Sequence, residues 1–265
     1  MMQAMALQPE GNGRSFSIAT ATAMIEVVLG CCLCLLADAG MAAERPDFTG
    51  VWGTYREPGQ PGFVFGAPPP ELPLTSSARK KVAAYRALVA PSGDSPGGFC
   101  LGTGMPGSML GSGGYPMEIV QRDDVILVVY EAHAEIRHIY MNLRVAEADL
   151  FPDRNGYSIG HWEGNKLIVE TTHLKEAVEQ VRYPHSADAK VVEEYELGTG
   201  ADGSQILIAH MTMTDPGFYT ETIKAEKKWA YLPDTRLLPY ECNEPTWEEH
   251  LEQLRLQQGS GPQQD

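Results

Sequence analysis

The sequence predicts an all-β fold, in which an antiparallel meander of strands closes into a barrel with two flanking helices. The strongest observation is the stretch 156–172, where side chains of similar character recur two apart on both sides of the turn Gly164-Asn165. Glycine and asparagine tolerate the positive φ angles of tight hairpins. The second observation is a series of nine candidate strands after residue 115, separated by short turns. Long meanders close because closure removes their exposed edges, and a two-sheet sandwich is the alternative.

The first 43 residues have the pattern of a secretory signal peptide and are not expected to belong to the fold. Arg14 precedes an apolar run from Val27 to Ala37, and small residues at 39–43 supply a cleavage site before Glu44. This apolar run is too short to span a membrane. Export to the periplasm or to the outside of the cell is therefore predicted. Lipidation at Cys31 is the alternative.

Cysteine content and charge limit the partners of the exported chain. Removal of residues 1–43 would leave Cys100 and Cys242 of the five cysteines. Two cysteines in an exported chain suggest one disulfide bond, and two buried free thiols are the alternative. The same removal would change the net charge from −15 to −13. An acidic chain without a basic, aromatic-rich patch repels nucleic acid and anionic lipid, so neither is expected as a partner.

Residues 44–115 are expected to supply an N-terminal strand, a helix and a Gly-rich loop. The segment 47–53 is the opening strand, and its glycine two before Trp52 is also found at the start of lipocalin-type barrels. A tryptophan packed on any β core is the alternative. The helix is predicted over Thr75–Val89 with Ser76 or Ser77 as its N-cap. Its apolar residues at helical spacing are Val82, Tyr85, Leu88 and Val89.

The Gly-rich loop from Pro91 to Tyr115 contains the letters GxGxxG at Gly102–Gly107. Dinucleotide binding does not follow, because that fingerprint requires a strand before the motif and a helix after it. More glycine follows here instead, and Pro106 lies inside the motif. The loop is predicted to be a lid or a packed crossover that is tethered at Cys100.

Residues 116–244 are expected to form the barrel, and residues 245–265 a C-terminal helix with a polar tail. A capping box at Thr246–Glu249 predicts that helix. The predicted strands are 117–121, 125–131, 135–141, the two arms of the hairpin at 156–172, 190–197, 205–214, 218–231 and 236–242.

Strand 135–141 carries the first candidate for chemistry. Side chains alternate along a strand, so Arg137 lies on the face opposite to His138 and Tyr140. An arginine that faces the barrel interior needs a partner, and Glu193 is the candidate. Such a pair could orient a ligand or stabilise an anion. The alternative is a row of exposed charges on the outer face of the barrel.

Histidine is the second candidate, as a group that transfers protons. The histidines do not form a metal site pattern, since HxH is absent and no pair lies four apart on a helix. His185, in Tyr183-Pro-His-Ser186, is the first choice for proton transfer, and an exposed loop histidine is the alternative. A serine nucleophile is not favoured because GxSxG does not occur.

Several segments occur in an order that resembles a family of uncharacterised exported bacterial proteins rich in β-strands. The clearest are PDFTGVW at 46–52, SIGHWEG at 158–164 and YEC at 240–242. The chain departs from the family's pattern at Tyr157, His161 and His173. The resemblance implies that Cys100 and Cys242 are paired. It also implies that relatives carry the same residue types at Arg137, His185, Glu193 and Tyr219.

The predicted function is that of an exported isomerase, lyase or cyclase that acts on a small, largely apolar organic molecule in a barrel cavity. General acid-base chemistry without a metal or another cofactor is expected. Arg137 would hold an anionic or carbonyl oxygen, and Glu193 or His185 would move the proton. Tyr219 would donate a hydrogen bond. Substrate contacts are expected from Tyr140, His161 and Trp229.

Two other functions are compatible with the same barrel. One is a non-catalytic, lipocalin-like protein that binds a small ligand, and the other is a structural protein whose barrel is filled by its own side chains. A barrel filled by its own side chains leaves no room for a ligand, so a cavity in the barrel would exclude the structural protein and favour the other two functions. The sequence leaves homodimer formation open.

Overall fold

The computed structural model describes residues 45–60, 71–93, 95–111, 114–180 and 182–242, and it is an all-β fold as predicted. The strands are β1 (Gly50–Thr54), β2 (Met117–Gln121), β3 (Val125–Tyr130), β4 (Glu135–Tyr140), β5 (Tyr157–Glu163), β6 (Lys166–Thr172), β7 (Lys190–Thr199), β8 (Gln205–Thr214) and β9 (Ile223–Tyr231). The α-helices in these residues are α1 (Ser76–Val89) and α2 (Gly107–Gly111). None of them is long and apolar enough to cross a membrane.

The nine strands form a closed barrel in the order of the chain. Strand β1 pairs antiparallel with both β2 and β9, so the N-terminal strand belongs to the barrel and closes it. Antiparallel steps alone cannot close an odd number of strands, because the first and the last would then run in the same direction. The pair β4–β5 resolves this conflict, since it is parallel. The chain makes that step through the crossover 141–156, which the predicted antiparallel meander did not include.

The predicted hairpin is confirmed as β5–β6. Glu163 pairs with Lys166, which leaves Gly164 and Asn165 as a two-residue turn, and Gly164 has a φ of +62°. Ser158 and Thr171 face each other in register, and both side chains are buried in the barrel. The outward residues of the hairpin include Ile159 and His161.

The segment 236–242 is not a strand, which corrects the prediction. Strand β1 already occupies the edge of β9, so a tenth strand has no free edge with which to pair. The segment instead returns toward the end of β3, where the Leu238 amide donates to Glu131 Oε2 at 2.7 Å. Its last residue, Cys242, forms the predicted disulfide with Cys100, with a Cα–Cα distance of 5.5 Å.

Strand β9 begins at Ile223, five residues later than predicted, because Asp215 first makes a turn. The Asp215 backbone carbonyl accepts hydrogen bonds from the amides of Phe218 and Tyr219. Its carboxylate accepts from the Phe218 amide at 3.2 Å. Local side-chain bonding of this kind competes with strand pairing.

Helix α1 lies where it was predicted, but its N-cap is Thr75 and not one of the two serines that follow. Thr75 Oγ1 accepts from the Ala78 amide at 3.1 Å. The buried face of α1 contains Ala78 and Val82, whereas Leu88 is 77% exposed. The predicted apolar stripe is therefore only partly buried. The predicted signal peptide at 1–43 and the predicted C-terminal helix at 245–265 lie outside the described residues.

Candidate functional site

Five polar side chains meet in the barrel interior: Arg137, Ser158, Thr171, Glu193 and Tyr195, here called the barrel cluster. They come from β4 to β7, and strand alternation directs each of them inward. Arg137 is only 1% exposed, and the other four are buried with it. The alternative of a row of exposed charges is therefore wrong for Arg137 and Glu193.

The barrel cluster is held by a bidentate ion pair. Arg137 Nη1 donates to Glu193 Oε1 at 3.0 Å, and Nη2 donates to Glu193 Oε2. Nε and Nη2 donate to Ser158 Oγ at 3.1 Å, and Nη2 also donates to Thr171 Oγ1 at 2.8 Å. Tyr195 Oη donates to Glu193 Oε1 at 2.9 Å. Each of these polar side chains thus has hydrogen-bond partners within the cluster.

The electrostatics of the barrel cluster keep its protons in place. Burial alone would lower the pKa of Arg137, but the adjacent Glu193 carboxylate outweighs burial and the pKa is raised. Burial raises the pKa of Tyr195 well above its usual value, and Glu193 adds to that shift. Arg137 and Tyr195 therefore stay protonated over the physiological pH range. This arrangement suits a fixed charge pair better than a proton-transfer group.

Two further polar groups connect the barrel cluster to the Gly-rich loop. Burial raises the pKa of Tyr130, which lies beside Arg137, and its Oη has no hydrogen-bond partner among the described residues. Glu135 is opposite Tyr130 in the β3–β4 register. Its Oε2 accepts from Ser108 Oγ at 2.6 Å, while its Oε1 is buried without a partner in the described part of the chain.

Glycine lets the loop approach the barrel closely at two positions. A Cβ at Gly102 would lie 2.5 Å from Glu135 Oε2, and a Cβ at Gly104, whose φ is +74°, would meet the backbone carbonyl of Arg154. A 3₁₀ helix at Pro96–Phe99 precedes the GxGxxG letters, and the short helix α2 follows them, where more loop was predicted. These glycines therefore serve packing, and the strand that a dinucleotide motif requires is not there.

A cavity of about 270 Å³ lies against this loop, and we call it the loop cavity. One wall belongs to the Gly-rich loop and the other to Arg154, Glu179, Gln180, Arg182 and Tyr183. The polar side chains in its lining are Thr103, Arg154, Glu179, Gln180 and Arg182. The remaining lining residues are Pro96, Gly97, Leu101, Gly107, Gly111 and Tyr183.

Gln180 has a fixed orientation in the wall of the loop cavity. Its side chain is 4% exposed, and its Nε2 donates to the carbonyl oxygens of Thr103 and Met105, both at 3.0 Å. Carbonyls only accept hydrogen bonds, so the amide nitrogen must face them. Gln180 Oε1 therefore points the other way. It is a buried acceptor that has no partner among the described residues.

The charges around the loop cavity are not balanced. Arg154 Nη1 lies 2.9 Å from Glu179 Oε1, and Arg154 Nε donates to the Gly102 carbonyl at 2.7 Å. Arg182 is exposed and forms no ion pair with any residue that the structure describes. The lining thus contains one cation in excess.

His185 and Tyr219 form a second pair that is separate from the barrel cluster. Tyr219 Oη donates to the Pro184 carbonyl at 2.6 Å, next to His185. His185 Nδ1 lies 3.1 Å from the Tyr183 carbonyl and must donate to it. His185 Nε2 is buried and unpartnered within the described residues. Because His185 is 1% exposed, the alternative of an exposed loop histidine is wrong.

Burial sets the protonation state of both groups. It lowers the pKa of His185, although the nearby Tyr183 carbonyl and Asp215 oppose this shift. It raises the pKa of Tyr219, and Asp215 adds to that increase. His185 is therefore a neutral imidazole at neutral pH, with a proton on Nδ1 and a free electron pair on Nε2.

The predicted catalytic residues thus occupy two places. Arg137 and Glu193 belong to the barrel cluster, whereas His185 and Tyr219 lie in the loops that follow β6 and β8. No hydrogen bond or ion pair between described residues joins one pair directly to the other. The four residues therefore do not form one hydrogen-bonded network among the described residues, and their catalytic role stays a prediction.

The predicted substrate contacts are also dispersed. Trp229 is buried in the barrel interior. Tyr140 lies on the outer face of β4, where it packs on Tyr157 with ring centroids 5.6 Å apart. His161 is exposed and lies 3.1 Å from Glu163.

Sequence reasoning missed several residues of these sites. Three of them lie on the inward face of their strands, as Arg137 and Glu193 do: Ser158, Thr171 and Tyr195. Side-chain alternation along the strands could have identified them. Gln180 and Arg182 lie in an irregular segment without periodicity, and no local pattern distinguishes them.

No group of three or more His, Cys, Asp or Glu side chains within the described residues could hold a metal ion. In comparisons with known proteins, no family model and no curated protein matches this chain. The resemblance to exported bacterial proteins therefore stays a prediction, and the functional argument depends on the geometry of the site.

Proposed function

We propose that this protein binds a small organic molecule in the loop cavity and does not transform it. The observation that supports this proposal is the unpartnered Gln180 Oε1 in the cavity wall. Buried polar atoms in proteins are nearly always hydrogen-bonded. The acceptor also lies beside Gly107, where an added Cβ would come within 2.8 Å of it. Glycine at this position leaves free the space beside the acceptor that a larger residue would fill.

The loop cavity is a better place for a ligand than the centre of the barrel. The side chains of the barrel cluster are buried around Arg137 and bond to one another. The loop cavity is just below the range of about 300–1,000 Å³ that is usual for pockets binding drug-sized ligands. A ligand smaller than a typical drug molecule fits such a volume.

Export is part of the same proposal. The disulfide Cys100–Cys242 supports it, because disulfides persist mainly in oxidising compartments. The signal-like pattern of residues 1–43 supports it independently.

A cavity-filling substitution tests the binding function. A Cβ built at Gly111 meets no atom of the described residues within 4 Å, so Gly111→Leu is expected to fold normally and to occupy part of the cavity. We expect native mass spectrometry of the wild-type protein to show a bound small molecule that Gly111→Leu lacks. Ala84→Leu is the control, since it also introduces a leucine, but at an exposed position of α1. A ligand retained equally by Gly111→Leu would contradict a site in the loop cavity.

A metal-independent acid-base enzyme of the isomerase, lyase or cyclase type is the second candidate. Neutral His185 favours it. Its Nδ1 donates to the Tyr183 carbonyl and its Nε2 has no partner among the described residues, and an imidazole in this form can accept a proton at Nε2. Acid-base chemistry at carbon would introduce deuterium into the co-purifying molecule in heavy water. Deuterium incorporation that disappears in His185→Gln would support the enzyme, whereas a ligand that never exchanges would support binding alone.

A further inference from the structure

We infer that the loop cavity is built for a small monocarboxylic acid that has an apolar body and one N–H or O–H donor. This inference depends on the proposed binding function and adds the chemical class of the ligand. Three features of the lining correspond to the three parts of that molecule.

The carboxylate is expected at Arg182. Arg154 and Glu179 neutralise each other at 2.9 Å, whereas Arg182 has no carboxylate partner among the described residues. The fork of a guanidinium matches a carboxylate in geometry and charge. A phosphate monoester matches less well, because it carries a charge of about −1.5 to −2 at neutral pH and would leave excess negative charge near Glu179.

The donor is expected at Gln180 Oε1. This atom can only accept, and the two carbonyl partners of Nε2 prevent the side-chain amide from flipping. A ligand hydroxyl or amide N–H would supply its missing partner. A ligand that has only acceptors would leave the atom unpaired and would bind less tightly.

The apolar body is expected against Leu101 and Tyr183. Leu101 is 44% exposed although it is a large apolar residue, and it lies in the cavity wall together with Pro96. Such a surface gains from being covered by apolar ligand atoms. The cavity volume of about 270 Å³ is compatible with one aromatic ring or a short branched chain next to the carboxylate.

Three related compounds test the assignment by isothermal titration calorimetry on the full exported chain. Mandelate has all three parts, phenylacetate lacks the hydroxyl donor, and methyl mandelate lacks the charge. We expect mandelate to bind best. Loss of the donor should weaken binding about threefold to tenfold, and loss of the charge about tenfold.

A substitution at Arg182 tests the same point from the protein side. Arg182→Gln should weaken the binding of mandelate about tenfold and that of its methyl ester much less, so that the preference for the acid is lost. Arg86→Gln is the matched control, because it removes one exposed arginine from α1 outside the cavity. Gln180 is tested through the ligand and not by mutation, since it also holds the loop backbone.

The outcomes separate this inference from the proposed function. In one outcome, Gly111→Leu abolishes binding, but the acid and the ester bind equally tightly and Arg182→Gln changes neither. That result would overturn the ligand class and keep the cavity as a binding site. Binding of any of the three compounds that Gly111→Leu leaves unchanged would overturn both. Failure of all three compounds to bind below about 10 mM would overturn the carboxylic acid assignment. A molecule that co-purifies with the wild type would then still establish the binding function.

Discussion

The barrel cluster and the loop cavity are both built from buried polar side chains, but they differ in how completely these groups are paired. In the barrel cluster, both oxygens of Glu193 and all three guanidinium nitrogens of Arg137 are hydrogen-bonded. At the loop cavity and in the segment after it, Gln180 Oε1 and His185 Nε2 have no partner among the described residues, and between the two sites Tyr130 Oη and Glu135 Oε1 have none either. A completed network stabilises a fold, whereas an incomplete one marks where another molecule can contribute.

The backbones that carry the two sites explain this difference. Regular strands place side chains at fixed intervals, so complementary groups on β4 to β7 can meet without adjustment. The loop cavity combines a Gly-rich segment, in which only the short helices Pro96–Phe99 and α2 have a regular geometry, with a second, irregular segment. Glycine permits close approach but supplies no side chain that could complete the pairing.

The largest expected effect is on the barrel cluster. Glu193→Gln would leave the Arg137 charge buried without a counter-ion, and we expect the free energy of unfolding to fall by about 3 to 5 kcal/mol. Urea denaturation of the purified protein measures this change. The neighbouring Glu194 is the control, since it points outward and lies 3.6 Å from Lys166. Glu194→Gln should change the free energy by less than about 1 kcal/mol. Similar losses for the two variants would mean that the inward pair has no special role.

Loss of the disulfide should affect the loop more than the barrel. Replacing both Cys100 and Cys242 by serine removes a bond between residues 142 positions apart. We expect a loss of about 2 to 4 kcal/mol in unfolding free energy. Hydrogen exchange should become faster for the amides at 100–107 through local opening of the loop. The amides of β6 and β7 should still exchange only through global unfolding. Equal acceleration in both regions would show that the loop and barrel open as one unit.

A smaller effect is expected where the loop meets the barrel. Ser108→Ala removes the 2.6 Å hydrogen bond to Glu135, whose other carboxylate oxygen already lacks a partner among the described residues. The unfolding free energy should fall by about 1 to 3 kcal/mol. Ser204→Ala is the control, since it removes a 2.7 Å bond to Asp202 in an exposed turn. If the two serines proved equally dispensable, Glu135 would have to be solvated.

The smallest expected effect is on the pH dependence of stability. Burial holds the pKa of His185 below its usual value of 6.5, so the unfolded chain binds a proton at a higher pH than the folded protein does. Stability should therefore decrease as the pH falls through that value, from about pH 7 to pH 5. His185→Phe should show a smaller decrease, measured by urea denaturation at both pH values. Identical slopes for wild type and variant would indicate that the pKa of His185 is the same in the folded and the unfolded state.

The barrel cluster could be predicted in part because it depends on local periodicity. Alternation along 135–141 separated Arg137 from His138, and charge complementarity identified Glu193 as its partner. The disulfide followed from the two cysteines that would remain after removal of the predicted signal peptide. The sequence did not decide which face of the strand points into the barrel, because a strand segment alone does not show which of its sides the rest of the barrel covers.

The loop cavity could not be predicted in the same way. Its wall brings Gln180 against Thr103 and Arg154 against Gly102, and these partners are far apart in sequence. No spacing rule relates two irregular segments. The prediction therefore placed the ligand in the barrel centre, where the structure has the barrel cluster instead.

By itself, the sequence determined the all-β class, the positions of most strands and the two-residue turn at Gly164-Asn165, because these depend on alternation and on turn residues that act over a few positions. Only the tertiary structure decided that β1 closes the barrel, that β4 and β5 run parallel and that no tenth strand forms at 236–242. Those outcomes depend on which edges remain free once the other strands have paired. The position of Gln180 beside the cavity likewise depends on partners distant in sequence, the carbonyls of Thr103 and Met105.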